Sequence, residues 1–573
     1  MMEKLKHRPA RQKKARQQFV LRIIPLGGME EVGRNMTVFE YGDDIVILDM
    51  GIQFPEEDMP GIDFIIPNVS YLRGKEKNIR GVIFSHGHLD HIGAAPLLLK
   101  KLGYPTIIGR DLTIALIKKR MEEYAKESIK RLKIIKVKST NDRFNLGKFR
   151  IGFFNVEHSI MDAIGVIINT PTGTVIHPGD WTMGKNPINQ QTITYHHLSS
   201  LPTPKILMLE SLGSLDTTHE LVSEKDMYAN LEKLINEARG KIIIGTFSSQ
   251  IKRIGHIIEY AREIGKKIVL DGYSMKMNIE IAKELGYVKV DKEILVSVKD
   301  IHKYPENKII IICTGAQGEG NAVLSRIITG NHKFIRIKKN DTIIFSSSVI
   351  PGNERTIQRL KDSLYRKCDN VVHNDIMDVH TSGHSNAASI KEIIKQIRPD
   401  FFLPVYANHY FLKEAAKLAM QVGIPKDKIF VLDNGSIIEF QNRTARVLNK
   451  KVDTNYVFVD GLGIGDIGHI VLRDRQTMAE DGMFVIITTI DRQTGKVKNN
   501  PDIISRGFIY MKESKELLTE ARKKVKEIVE HTTIAGAPID WVYVKNNLRD
   551  KIGQFLYSKT RRRPMILPVI IEV

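Results

Sequence analysis

Ser85-His86-Gly87-His88-Leu89-Asp90-His91 sets three imidazoles and one carboxylate inside six residues. The apolar run directly before it, Gly81-Val82-Ile83-Phe84, reads as a buried strand, so these groups leave a strand end on a loop. His86 and His88, two apart, point to one side; Asp90 and His91 come round at the next turn and point to a neighbouring place. That spacing serves two adjacent metal ions, and the bland alternative is a loop that happens to be rich in histidine. Two later strand ends carry further donors. A strand from Phe149 to Val156 runs into Glu157-His158-Ser159, and a hairpin from Ile164 to Ile176, turned by Pro171-Thr172-Gly173, runs into His177-Pro178-Gly179-Asp180. Singly, each is an ordinary loop residue. Together, His158 and Asp180 supply a third histidine for one metal and a carboxylate able to bridge two.

A second constellation is Val379-His380-Thr381-Ser382-Gly383-His384, ahead of a helix that begins near Ala387. Two imidazoles, two hydroxyls and a flexible glycine at a helix entry make a phosphate cradle, to which backbone N–H groups and the helix dipole are expected to add; a polar helix cap is the alternative. Asp49 ends the strand Ile45 to Leu48 near where the histidine loop emerges. It reads equally as a partner that orients a metal-bound histidine or as a turn-forming aspartate.

The frame around these residues is large. A chain of 573 residues exceeds one core, so about three domains are expected. The 42% hydrophobic content marks a globular protein, and a net charge of +20 suits a polyanionic partner or a merely basic protein. Cys313 and Cys368, far apart in apolar segments, exclude a disulfide framework and fit a reducing cytoplasm; both read as core residues. No apolar run is long enough for a membrane span, and the N-terminus has no secretory signal, so a soluble cytoplasmic protein is expected. Residues 1–16 carry seven Lys or Arg against Glu3 and read as a disordered basic arm, either holding a nucleic-acid backbone or simply solvated. From Pro204 strands alternate with helices (206–209, 223–238, 241–246, 251–264, 267–270), the pattern of a parallel sheet covered by helices. Asn442 to Asp453 reads as a polar linker to a small α/β segment with an amphipathic helix from Ser514 to His531.

His-x-His-x-Asp-His, followed by a lone His and a lone Asp at strand ends, resembles the metallo-β-lactamase superfamily. Gly27-Gly28-Met29-Glu30-Glu31-Val32-Gly33-Arg34-Asn35-Met36, Asp49 to Phe54, Ile66-Pro67, Thr314 to Glu319 and Ser346 to Glu354 are similar to the ribonuclease J family of β-CASP nucleases. The resemblance covers nearly the whole chain apart from the basic arm. It implies an α/β protein: a metallo-β-lactamase αββα sandwich (17–208 and 375–445) with an inserted Rossmann-like β-CASP domain (209–374). A linker (446–458) and a small α/β C-terminal domain (459–573) follow. It implies two Zn2+ per chain, with His86, His88 and His158 on the first, Asp90 and His91 on the second, and Asp180 bridging. Catalysis is placed on Asp90, His384 and Glu210, and substrate phosphate on His380, Thr381, Ser382, Gly383 and His384, with Ser248, Ser249 and Gln250. The implied activity is hydrolysis of single-stranded RNA, both 5′-to-3′ exonucleolytic from 5′-monophosphate ends and endonucleolytic, in RNA maturation and decay. A homodimer or homotetramer and association with RNA-decay or ribosome-linked factors are implied partners.

One position departs from the pattern. The family commonly places a histidine where Tyr406 stands, completing the second metal site, and a phenol has an unperturbed pKa of about 10. His409, three residues on, is the candidate substitute if the chain bends inward. The departure prompts the alternative of a non-catalytic or weakly active RNA-binding subunit; another β-CASP nuclease acting on DNA, or a small-molecule metallohydrolase, leaves the C-terminal segment or the basic charge unexplained.

Overall fold

A computed structural model of the chain describes residues 19–56, 58–183, 193–218, 222–317, 322–349, 353–461, 463–465, 468–534 and 538–573. The basic arm 1–16, Gly318-Glu319 and Ile350-Pro351-Gly352 lie outside the described residues.

The β-branched runs of the first two hundred residues pair into two sheets. In the eight-stranded sheet, Leu21–Gly27, Met36–Tyr41 and Asp44–Leu48 form an antiparallel meander, continued by the parallel strands Ile79–Ile83, Ile107–Gly109 and Ile134–Lys136. On its other side lie Ile438–Gln441 and the edge strand Thr444–Val447. This hairpin corrects the expected linker: Asn442 and Arg443 take φ of 50° and 60°, a left-handed two-residue turn that Asn adopts readily, and it folds the polar stretch back onto the sheet. The second sheet has the order Phe401–Val405, Lys205–Glu210, Gly173–His177, Ile164–Thr170, Phe149–Asn155, Phe144–Leu146.

Alternation within these strands buries one face of each sheet against the other. Ile23, Phe39, Val46 and Ile83 of the first share one core with Phe153, Val166, Met208 and Leu403 of the second. The outer face of the second sheet, with Leu207, Leu209 and Phe402, is covered by helix Ala387–Ile397 through Ile390, Ile393, Ile394 and Ile397, and by helix His409–Gln421 through Ala415 and Ala419. Each such isoleucine contributes roughly 1.5–3 kcal/mol of burial, which fixes the loop that enters the first helix. Helices Ala95–Lys101 and Asp111–Tyr124 pack beside the parallel strands of the first sheet, giving four layers.

The chain leaves the sandwich after Lys205–Glu210 and returns at Phe401–Val405, which pairs with it in parallel. The strand read from 206 therefore belongs to the sandwich. The insertion begins beyond it, as a wholly parallel sheet ordered Lys267–Asp271, Ile309–Cys313, Ile242–Thr246, Thr342–Ser346, Asn370–Val372. Ile309–Cys313 and Ile242–Thr246 are continuous apolar runs because both faces of the sheet are covered. Cys313 and Cys368 are buried in its core.

Sandwich and insertion form one compact unit, residues up to Gln53 with Ile66–Tyr456; Phe54–Ile65 with Val457–Val573 form the other. In the second unit, Asp502–Arg506, Met483–Ile490 and Met565–Glu572 make a three-stranded sheet whose buried side, Phe484, Ile486 and Ile490, packs on Val525, Ile528, Leu548 and Ile552 of helices Lys515–Thr532 and Trp541–Thr560. Ile62 and Ile65, from a segment that sequence reading left with the first domain, are buried here against Phe458 and Leu472.

Candidate metal centre

Each donor named from sequence follows the carboxyl end of a strand. Ile79–Ile83 delivers the histidine loop, Phe149–Asn155 His158, Gly173–His177 Asp180, Lys205–Glu210 Glu210 itself, and Phe401–Val405 Tyr406. Gly173–His177, Lys205–Glu210 and Phe401–Val405 are parallel neighbours, so their ends open on one edge. The histidine loop is braced from beneath: Asp49 N donates to Ile83 O at 2.9 Å, Met50 N to His91 O at 2.7 Å and Ile52 N to Leu89 O at 3.0 Å. Gly51 lies so near that a Cβ there would stand 1.5 Å from Asp90 O, which only glycine permits.

Two groups of donors result. His86, His88, His158 and Asp180 offer one ligand atom each within 4.8 Å of one another, and Asp90, His91 and Asp180 do the same, with Asp180 in both. The outer nitrogens of the first group are anchored. His158 Nδ1 donates to Gly383 O at 2.7 Å, and His86 Nδ1 faces Ser85 Oγ at 3.0 Å. The inner nitrogens therefore converge, His86 Nε2 and His158 Nε2 lying 3.1 and 3.0 Å from His88 Nδ1. Burial lowers the pKa of His88 to about 4 and of His158 to about 3, and with the neighbouring imidazoles it holds His86 well below its usual value. At neutral pH these are uncharged rings with lone pairs pointed at one another and at a carboxylate. That set repels itself unless a cation lies at its centre, and three imidazoles with one carboxylate suit a divalent ion such as zinc.

His91 is held differently. Its Nδ1 donates to Asp49 Oδ2 at 2.8 Å, while Asp49 also accepts from Ser85 N and Ser85 Oγ at 2.8 Å each. Asp49, at φ 60°, is thus both the turn residue and the partner that orients a histidine. His91 Nε2 stands 3.4 Å from Asp90 Oδ2 and 3.4 Å from Asp180 Oδ1. Burial opposes its charge, but Asp180, Asp90 and Asp49 raise its pKa well above the usual value; burial likewise opposes the Asp180 charge, and His91 carries that carboxyl well below.

His384 Nδ1 lies 3.2 Å from Oε1 of the buried Glu210, and its ring centroid is 5.6 Å from that of His158. Burial lowers its pKa, yet Glu210, Asp180 and Asp90 outweigh this and raise it to about 9. Ser382 Oγ accepts from His384 N at 3.0 Å, and Gly383 carries the carbonyl that orients His158. Next to this loop, Arg253 Nη1 is 2.7 Å from His380 Nδ1 and donates to Ser346 O and Oγ at 3.0 and 3.1 Å, while Nη2 donates to Thr381 Oγ1 at 3.2 Å. Because Arg253 donates to Nδ1, the His380 proton resides on Nε2. Ser248, Ser249 and Gln250 precede the helix Ile251–Glu263 that carries Arg253, and the ring of Phe247 lies 6.4 Å from that of His380.

Two expectations are corrected. The N-terminus of helix Ala387–Ile397 is not open to a phosphate: Ala387 N donates to Asp216 O, and the Asn386 side chain caps Ser389 N at 2.9 Å. His409 does not join the second group. It opens helix His409–Gln421, whose first turn faces outward, and its Nδ1 pairs with Glu30 at 3.0 Å, beside Asp433. Tyr406 is the residue that stays, buried, its ring 5.3 Å from His91 and 5.0 Å from His177. Sequence reading missed Arg253 and Asn35. Arg253 had a signal, since it sits four residues before Ile257 on the apolar stripe of its helix. Asn35, whose amide lies 3.0 Å from His91 Nε2, had none beyond the motif around it.

Residues 29–185 match the metallo-beta-lactamase superfamily, 239–364 the family "Ribonuclease J, beta-CASP domain", and 470–573 the family "Ribonuclease J C-terminal domain". A Bacillus subtilis (strain 168) protein named Ribonuclease J2 is 34% identical over 554 residues, 96% of this chain and 99% of that one. Ribonuclease J 2 of Staphylococcus aureus (strain MRSA252) is 34% identical over 558 residues, 96% and 98% respectively. A crystal structure of a protein of unknown function from Enterococcus faecalis V583 shares the fold, with a TM-score of 0.50 at 15% identity, covering 74% of this chain and 100% of that one. With all three family regions in register and relatives aligned almost end to end, this chain belongs to the ribonuclease J family.

Proposed function

We propose that the protein is a zinc-dependent ribonuclease that hydrolyses phosphodiesters of single-stranded RNA. It works 5′-to-3′ from 5′-monophosphate ends and also endonucleolytically, in the cytoplasm, in RNA maturation and decay. The observation that carries the reading is the loop 380–384, which joins both halves of such a reaction: His384 stands over His158 while His380 and Thr381 face Arg253.

His86, His88, His158 and Asp180 would hold the cation. Bound there, a divalent ion supplies Lewis acidity towards a phosphoryl oxygen and lowers the pKa of water. The remaining work belongs to the chain's own side chains. Glu210 orients His384 and keeps it protonated, so that it donates to the departing oxygen and faces the negative charge of the pentavalent phosphorus. Asp90, partly exposed beside His91, accepts a proton from the attacking water. His380 Nε2–H, Thr381 and Ser382, with Ser248, Ser249 and Gln250 nearby, offer hydrogen-bond donors to an end phosphate, and Arg253 supplies its positive charge. A homodimer or homotetramer associated with other RNA-decay factors is part of the proposal.

The test is release of mononucleotides from 5′-labelled single-stranded RNA by the purified zinc-loaded protein. Monophosphorylated ends are expected to be degraded much faster than triphosphorylated ones, and equal, metal-independent turnover of both overturns the reading. Tyr406 beside the second donor group favours one other reading, an RNA-binding subunit with little activity. Tight RNA binding without cleavage supports that instead.

A further inference from the structure

The two donor groups differ in completeness. The first offers four ligand atoms, three of them imidazole nitrogens, which fills the tetrahedral set that zinc takes from a protein. The second offers three, and one of these, Asp180, is shared with the first. Around the second group the structure places two side chains that are not metal donors of the usual kind. The Asn35 amide nitrogen lies 3.0 Å from His91 Nε2 and 3.4 Å from Asp90 Oδ2, within hydrogen-bond reach of two of the three donors. Its backbone is tied to the same loop, with Asn35 N donating to Asp90 O at 3.1 Å and Gly51 N to Asn35 O at 2.9 Å. Tyr406 closes the other side. Its ring lies 5.3 Å from that of His91 and 5.0 Å from that of His177, its buried hydroxyl has no hydrogen-bond partner among the described residues, and it belongs to the core of the sandwich. It has no room to withdraw: Tyr406 N donates to Gly28 O at 2.7 Å, and a Cβ on Gly28 would stand 2.8 Å from its Cδ1. Tyr406 itself sits at φ 62°, a conformation that costs a non-glycine residue of order 1–3 kcal/mol and that the surrounding packing must impose.

We infer that this chain holds one divalent cation tightly, at His86, His88, His158 and Asp180, and that Asn35 and Tyr406 take up the place of a second. This rests on the metal-dependent reading above and replaces, for this chain, the two ions that the family resemblance implies. His91 and Asp90 then face the protein's own groups rather than an ion: His91 donates to Asp49 through Nδ1 and turns Nε2 towards Asp90 and Asp180, with the Asn35 side chain 3.0 Å from that nitrogen and 3.4 Å from Asp90 Oδ2.

The experiment counts metal without reference to RNA. Full-length protein is loaded with excess Zn2+, dialysed against metal-free buffer, and measured by native mass spectrometry together with elemental analysis. The expected count is one zinc per chain, one in His91→Ala, none in His86→Ala, and two in Tyr406→His. Two zinc ions in the wild type after dialysis, or loss of the retained ion in His91→Ala, overturns the inference, and a count of one in Tyr406→His overturns the role given to the phenol. Circular dichroism of each variant confirms folding, and His91→Ala carries the test if His86→Ala does not fold. Failure to cleave RNA with a count of one refutes the ribonuclease reading and leaves this inference standing.

Discussion

At the scale of single residues, the site is a matter of which nitrogen points where. His158 is left with Nε2 free to ligate because Gly383 O accepts the proton of its other nitrogen, so the carbonyl of one loop sets the tautomer of a ring on another. A Cβ at Gly383 would stand 2.8 Å from Ser159 Cβ and 3.1 Å from His158 Cε1. Gly383→Ala is therefore expected to displace His158 and to lower retained zinc at least tenfold after dialysis, read by elemental analysis, while the melting temperature changes little. Glu210, 3.2 Å from His384, is proposed to act through that ring. Glu210→Gln removes the charge that offsets the burial of that ring, and is expected to lower kcat by about 10²- to 10⁴-fold with RNA affinity kept, as for loss of a general acid. A fall in affinity matching the fall in rate would instead place Glu210 in binding.

At the scale of elements, one helix and one loop bear on what the site is proposed to recognise. Helix Ile251–Glu263 belongs to the insertion, yet its Arg253 reaches the sandwich loop at His380 and Thr381. Among the described residues the hydrogen-bond partners of this buried guanidinium are neutral, which is costly, and an end phosphate would offset the cost. Arg253→Ala is expected to raise KM for 5′-monophosphorylated RNA tenfold or more and to erase the advantage of that end over a 5′-hydroxyl, with kcat on internal sites changed less than threefold. Arg253→Lys is expected to restore the charge but not the paired contacts to His380 and Thr381, and so to recover only part of the preference. Gly51 tests the brace under the histidine loop. Gly51→Ala would place Cβ against Asp90 O, and a loss of about 3 kcal/mol or more is expected in urea unfolding, together with loss of zinc. The strand ends at Ile83, Asn155 and Glu210 were readable from apolar runs, and so were helices such as Lys515–Thr532. The hairpin at Asn442-Arg443 was not, because a polar edge strand with one partner shows no apolar alternation to read.

At the scale of the whole molecule, charge and connectivity govern how a polymer is handled. A net charge of +20 is expected to give sequence-independent affinity for single-stranded RNA that falls with salt. For six phosphate contacts the log–log slope is about −4, so affinity should drop by about 250-fold between 50 and 200 mM monovalent salt. A slope near zero in fluorescence titrations would remove the polyanion from the account. Strands Lys205–Glu210 and Phe401–Val405 lie side by side although nearly two hundred residues separate them. The insertion is thereby held at the edge where the donors emerge. By itself the sequence determined which groups could do chemistry here, because His-x-His-x-Asp-His, His158, Asp180 and His384 each follow an apolar run or precede a helix, and side-chain period along such runs is local information. It determined the parallel insertion for the same reason. Only the tertiary structure decided how those groups are used. It turned His409 out to Glu30, closed the start of helix Ala387–Ile397 against Asp216, brought Arg253 to His380 and packed Asn35 and Tyr406 around His91. Each of these is a contact between residues distant in the chain, set by how two sheets and an insertion pack, and no local pattern encodes it.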